Sequence, residues 1–178
     1  HIGIPILFTT VEQFERWANS STDAGTVWTA FNGCGFDYWV INELTSVHIA
    51  KDRILDPSVI SKLSFYNKFN THSLREIGEY LGVYKGDYDG GWEEYSTEMG
   101  DYCLQDVKVL WHIRKCYHRV ISNIAMADAI RIEHNVSLIL AEMRRNVFTF
   151  NLDKAEKLLD EVTTEMQELE EGMQAEWP

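Results

Sequence analysis

The hydrophobic period changes along this chain, and that change limits its fold more than any other feature. The first 120 residues mix runs with a two-residue period and runs with a helical period. The last fifty or so carry helical patterns alone. The opening residues alternate as a strand does, with Ile2, Ile4, Ile6 and Phe8 on one face of an expected strand His1–Phe8. Thr10 and Gln13 form a capping box that opens a helix through Trp17. After a turn at Ser20–Gly25, the β-branched and aromatic run Thr26–Phe31 reads as a central strand. The glycine-containing turn Asn32–Asp37 feeds a helix over Tyr38–Leu44.

Helical signals then take over. Asp56 caps a helix that has Pro57 at its first position. Ser73 and Glu76 form a second capping box, and Gly82 ends the helix over Leu74–Leu81. Residues 83–97 form a loop rich in Gly, Asp and Tyr. Helix resumes near Thr97 and runs to about Val120, followed by helical patterns over Ala127–Asn146 and Leu152–Gly172. An α/β first part with an appended all-helical part is therefore expected.

Charge and cysteine content narrow the class. The net charge of −12 is the wrong sign for a free-standing DNA binder, which presents a basic patch. Residues 151–178 hold nine acidic and two basic side chains, so that stretch alone supplies −7. It is expected to be a packed and solvated helix that makes no direct phosphate contact. The remaining −5 suits a domain whose site is built of carboxylates and filled by cations. Cys34, Cys103 and Cys116 form no CxxC pair and read as free thiols of a reducing compartment. His112 and Cys116 are one helical turn apart, but a packed helix face explains them better than zinc, which needs two more ligands. No stretch reaches the length of a membrane span.

Three side chains carry the chemistry. Asp37 follows a strand and a glycine turn, where side chains face a cleft. Tyr102 and Asp106 are i and i+4 on one expected helix and share a face. Two carboxylates beside a phenol are the groups that hold divalent cations and orient water for phosphodiester hydrolysis. Taken singly, each has a plainer explanation. Asp37 would cap the following helix, Asp106 would be a solvated charge, and Tyr102 a core aromatic. Asp56 is fully explained as a cap.

The spacing shifts the balance. Asn32–Asp37 (NGCGFD) fits N-x-x-x-[FY]-D, and Tyr102–Asp106 (YCLQD) fits Y-x-x-x-D. In order and setting the two resemble the second and third exonuclease motifs of the DEDD superfamily, tyrosine branch. The blocks DPSVISKL (56–63), HSLREIGEYLG (72–82), YKGDY (84–88) and DYCLQDVKV (101–109) resemble consecutive blocks of the family A replicative DNA polymerases of short-tailed phages. Residues 132–159 resemble the segment that joins the exonuclease domain of those enzymes to the base of the thumb. The resemblance runs from about residue 8 to the end.

It implies a ribonuclease H-like exonuclease fold, a mixed sheet with flanking helices, over residues 1–122. A helical linker and thumb base would follow over 123–178. The implied activity is proofreading 3′→5′ hydrolysis of a frayed, single-stranded primer end, releasing a nucleoside monophosphate. Two Mg²⁺ or Mn²⁺ ions would stabilise the attacking and leaving oxygens. Asp106 and Asp37 would be metal ligands, Tyr102 would position the water, and Asn32 and Phe36 would contact the substrate. DNA, the remainder of the polymerase polypeptide and a host processivity factor are the implied partners. The cytoplasm of the infected bacterium is the implied location.

Two departures qualify this. The family's first motif, D-x-E, supplies its chief metal ligands and occurs nowhere in residues 1–37. The chain is thus expected to be N-terminally incomplete and inactive alone. The opening at His1 and the close at Trp177-Pro178 are expected to be cuts through a longer polypeptide. Val147 stands where the family tends to have glycine. Other readings are a stand-alone nuclease, opposed by the helical tail, and a non-catalytic scaffold or partner-binding module. The missing D-x-E favours the scaffold, and retention of Asn32, Asp37, Tyr102 and Asp106 opposes it.

Overall fold

The computed structural model describes residues 5–23, 25–147 and 149–176. The chain divides into two compact units, His1–Arg144 and Arg145–Pro178. Packing thus carries the first unit past the 122/123 division that follows from the resemblance. That division, near which the patterning also turns wholly helical, stays an expectation.

In the first unit, α1 (Val11–Ser21) starts where the capping box predicts, with Oγ1 of Thr10 accepting the Gln13 N–H. The reciprocal bond is shifted by one residue, because the Gln13 side chain accepts from the N–H of Thr9. Strand β1 (Trp28–Thr29) is shorter than the expected Thr26–Phe31. It pairs in parallel with β2 (Ile54–Leu55), itself two residues long, in the register Trp28 to Ile54 and Thr29 to Leu55. A strand extends only as far as its ladder partner, so the β-branched run does not propagate. The expected strand His1–Phe8 lies outside the described residues over its first four positions. Residues 5–8 are irregular, and Pro5 lacks the N–H that a ladder needs.

Alternation along β2 separates two cores. Ile54 packs with Trp28, Phe14, Trp17, Tyr38 and Ile41 around buried Ala18, Val47 and Ile49. Leu55 points the other way, into a cluster with Ile60, Phe69, Ile77, Val109, Ile113 and Tyr117. Helix α2 (Asp37–Leu44) borders the first core. Helices α3 (Pro57–Ser64), α4 (Leu74–Tyr80) and α5 (Thr97–Cys116) supply the second. Helix α4 ends as the glycine predicts, with Gly82 at φ +70° and the Val83 N–H returning to the Gly78 carbonyl. A Cβ at Gly78 would meet Val83 O at 2.6 Å and Val109 at 2.7 Å, so only glycine lets α4 lie this close to α5.

The expected helix to Val120 breaks at Tyr117, giving a short α6 (His118–Ile121) and then α7 (Ile124–Asn146). In the second unit, α8 (Leu152–Glu176) is an amphipathic helix. Its apolar side chains Leu152, Leu159, Val162, Met166, Leu169 and Met173 are exposed. No described helix is long and apolar enough to cross a membrane.

Candidate active site

The loop that carries the Asn32–Asp37 motif is organised from below by a residue the sequence assigned only to a cap. Asp56 does cap α3, with Oδ1 accepting from the Ser58 N–H at 2.9 Å. The same oxygen accepts from the Asn32 N–H at 2.9 Å, and Oδ2 from the Cys34 N–H at 3.2 Å. Asp56 is 1% exposed. A carboxyl with this much acceptor capacity satisfies three backbone donors that burial would otherwise leave unpaired. The Asp56 N–H in turn donates to Nε2 of His134 on α7, whose Nδ1 bonds to the Ile130 carbonyl. An imidazole that accepts at Nε2 carries its proton on Nδ1. Nothing local in the sequence signals this frame, since Asn32 and Cys34 lie 24 and 22 positions from Asp56.

On that frame, Asn32 adopts φ 59°, the left-handed conformation that asparagine tolerates better than most residues. The chain turns through Gly33–Phe36 and enters α2 at Asp37. Asp37 is therefore the first residue of the helix, one position earlier than expected. It is half-buried, and burial pushes its pKa up. A backbone hydrogen bond at the helix start works against that rise, and the nearby Asp56 adds to it. Burial, followed by the Asp56 charge and a hydrogen bond to it, pushes the Cys34 thiol up to about 12. Asp37 lines a small cavity of about 110 Å³ with Thr29, Ala30, Gly33 and Ile54. Asn32 instead lines a wider cleft of about 470 Å³ with Asp56, Lys62, Glu133 and Arg144. Phe36 is 58% exposed and packs edge-on against Trp39.

The Tyr102–Asp106 motif sits on α5, which Ser96 caps through the Met99 N–H. Tyr102 and Asp106 lie one turn apart, and a single lysine joins them. Lys85 Nζ is 2.9 Å from Oδ2 of Asp106 and 4.8 Å from the centroid of the Tyr102 ring. Burial alone would lower the Lys85 pKa. Hydrogen bonds to Tyr102 and Asp106, and their charges, outweigh it and raise the value. Oδ1 of Asp106 is buried without a hydrogen-bond partner. Tyr88 and Trp92 pack their rings against Tyr102 at 5.7 and 5.9 Å.

The structure thus links Tyr102 to Asp106 through Lys85, and Asp37 to Asp56 through charge. Neither Tyr102 nor Asp106 lines the cavity of Asp37 or the cleft of Asn32. Among the described residues, no three His, Cys, Asp or Glu side chains converge as a metal site. The residues present therefore do not hold a cation by themselves. His112 bonds to the Lys108 carbonyl on its own helix, and the three cysteines are free thiols.

No family model matches the chain. It is 25% identical to the DNA-directed DNA polymerase of Escherichia phage T7 over 78% of its own length and 28% of that protein. The same figures hold for the DNA-directed DNA polymerase of Enterobacteria phage T3. The chain is thus related in sequence to phage DNA polymerases, and it spans about 28% of the length of these curated relatives.

Proposed function

We propose that this chain is the 3′→5′ exonuclease portion of a phage DNA polymerase, within a ribonuclease H-like fold, followed by the start of the thumb. The observation that carries the reading is the Tyr102–Asp106 pair. A phenol and a carboxylate share one half-buried helix face, and one carboxylate oxygen is buried with no partner. A buried acceptor left unpaired costs about 1–3 kcal/mol unless a ligand takes it up. The kinship to two DNA-directed DNA polymerases supports the same reading.

Asp106 would offer Oδ1 to a cation, Tyr102 would orient the attacking water, and Asp37 would serve a second cation. Mg²⁺ or Mn²⁺ is proposed only for a site completed by D-x-E, because the residues present do not converge on a cation by themselves. The chain alone is expected to be inactive. The substrate would be a single-stranded 3′ end, selected by fraying and needing no base readout.

The test is a Mg²⁺- and Mn²⁺-dependent assay on single-stranded DNA, comparing this chain with a longer form that carries a D-x-E strand ahead of His1. Activity is expected only in the longer form and lost on Asp37→Ala or Asp106→Ala. A second reading, a non-catalytic scaffold derived from such a nuclease, is favoured by the Lys85 contact that already fills Oδ2 of Asp106. It predicts that the longer form is inert as well.

A further inference from the structure

Helix α8 repeats its apolar side chains at spacings of three and four in strict alternation. Leu152, Ala155, Leu159, Val162, Met166, Leu169 and Met173 fill the a and d positions of consecutive heptads. The six larger ones are 44% to 65% exposed, so the seam is formed and open. Charge is sorted around it. The flanking e and g positions hold Glu156, Glu165 and Glu170 beside Leu158, Thr163 and Gly172, with no basic side chain. Lys154 and Lys157 sit at c and f, away from the seam, where Lys157 pairs with Glu161. The edges of the seam are therefore purely acidic.

We propose that the α8 seam is a docking surface for a basic amphipathic helix, apolar at its own a and d positions and carrying Lys or Arg at e and g. Side chains of that helix cover Leu159, Val162, Met166 and Leu169, and its cations face Glu156, Glu165 and Glu170. The two methionines let the seam repack around partners of different shape. A second copy of this chain fits worse. Parallel pairing sets Glu165 of one copy against Glu170 of the other. Antiparallel pairing sets Glu156 against Glu170 and Glu165 against its own counterpart. Like charges opposed across a seam disfavour both arrangements. None of Asp37, Tyr102 and Asp106 takes part, so this surface and the nuclease reading stand or fall separately.

The test titrates the chain as it stands with two designed helical peptides as long as α8, by calorimetry at neutral pH and low salt. Both peptides carry Leu at a and d, and they differ only in Lys or Glu at e and g. The Lys peptide is expected to bind, and the Glu peptide to bind about tenfold more weakly or worse. The triple variant Glu156→Lys, Glu165→Lys, Glu170→Lys is expected to exchange the two affinities. Met166→Asp places a charge in the seam and should abolish binding. Should it melt α8 in circular dichroism, Met166→Ala keeps a good helix former there and should weaken binding about tenfold or more. No side chain of α8 is buried, so these variants leave the core of the first unit untouched. Equal affinity for the two peptides, binding of neither, or binding indifferent to the charge reversal or to Met166→Ala overturns the proposal. Self-association of the chain in sedimentation equilibrium that Met166→Ala abolishes gives the seam to a second copy and overturns it as well.

Discussion

The backbone N–H of Asp56 donates to Nε2 of His134 at 2.8 Å, across 78 positions of the chain. This bond ties the start of α3 to α7, and through the Asp56 carboxyl it ties both to the Asn32–Cys34 turn. His134→Ala would leave a buried N–H unpaired and open a small void, so it should cost about 2–4 kcal/mol in urea unfolding. Asp56→Ala strips three backbone donors and should cost about 3 kcal/mol or more. Near-parental stability of either variant would show that water replaces these bonds.

The ionised Asp37 carboxylate costs the fold stability at neutral pH. Burial and then the neighbouring Asp56 raise its pKa in the folded state. A raised carboxyl pKa favours folding fully below the unfolded value, and that contribution is lost as pH rises through the folded value. Asp37→Asn cannot ionise, so it should raise Tm at pH 7, with the advantage vanishing below about pH 4. The same variant should abolish cleavage by the longer D-x-E form. Thermal melts at the two pH values check the first part.

Glu76 works in the opposite direction. Its carboxylate accepts from the Asn70 N–H, the Thr71 hydroxyl, and the N–H groups of Thr71 and His72. These bonds hold its pKa down at about 2, against an ordinary 4.5. The stability they bring is present above 4.5 and is lost as pH falls through about 2. Glu76→Gln should therefore flatten the pH dependence of Tm across that window and leave the neutral side steeper in no respect. An unchanged acid limb would contradict the account.

Val147 follows α7 at φ 44°, in the left-handed region that a β-branched residue enters only under strain. Val147→Gly should stabilise the chain by about 1 kcal/mol, the strain relieved exceeding the added freedom of the unfolded chain. A loss of stability in chemical unfolding would mean that the Val147 side chain matters more than its backbone.

What could be read in the sequence was local. Thr10, the Asp56-Pro57 pair, Ser73 and Gly82 each mark a helix end with groups a few residues apart and stand where expected, whereas the Glu76 carboxylate accepts from the Asn70, Thr71 and His72 N–H groups and not from that of Ser73. Tyr102 and Asp106 share a face because helical geometry requires it. What escaped was non-local. Strand length depended on a two-residue partner 26 positions away in the register of Trp28 with Ile54. The Asp56 frame depended on a turn returning over α3. Lys85 meets Asp106 across 21 positions, from a loop with no hydrophobic period to place it. Its one advance signal was a basic side chain within YKGDY, a segment otherwise acidic and aromatic.

The central claim is that Asp106 and Asp37 belong to an exonuclease site that needs D-x-E to work. Product analysis of the longer D-x-E form on a 5′-labelled single strand with Mg²⁺ tests it most directly. The account predicts a ladder shortening one nucleotide at a time from the 3′ end, nucleoside monophosphate as product, and no ladder from the present chain or from Asp106→Asn. Internal cuts, or a ladder from the present chain alone, would contradict it.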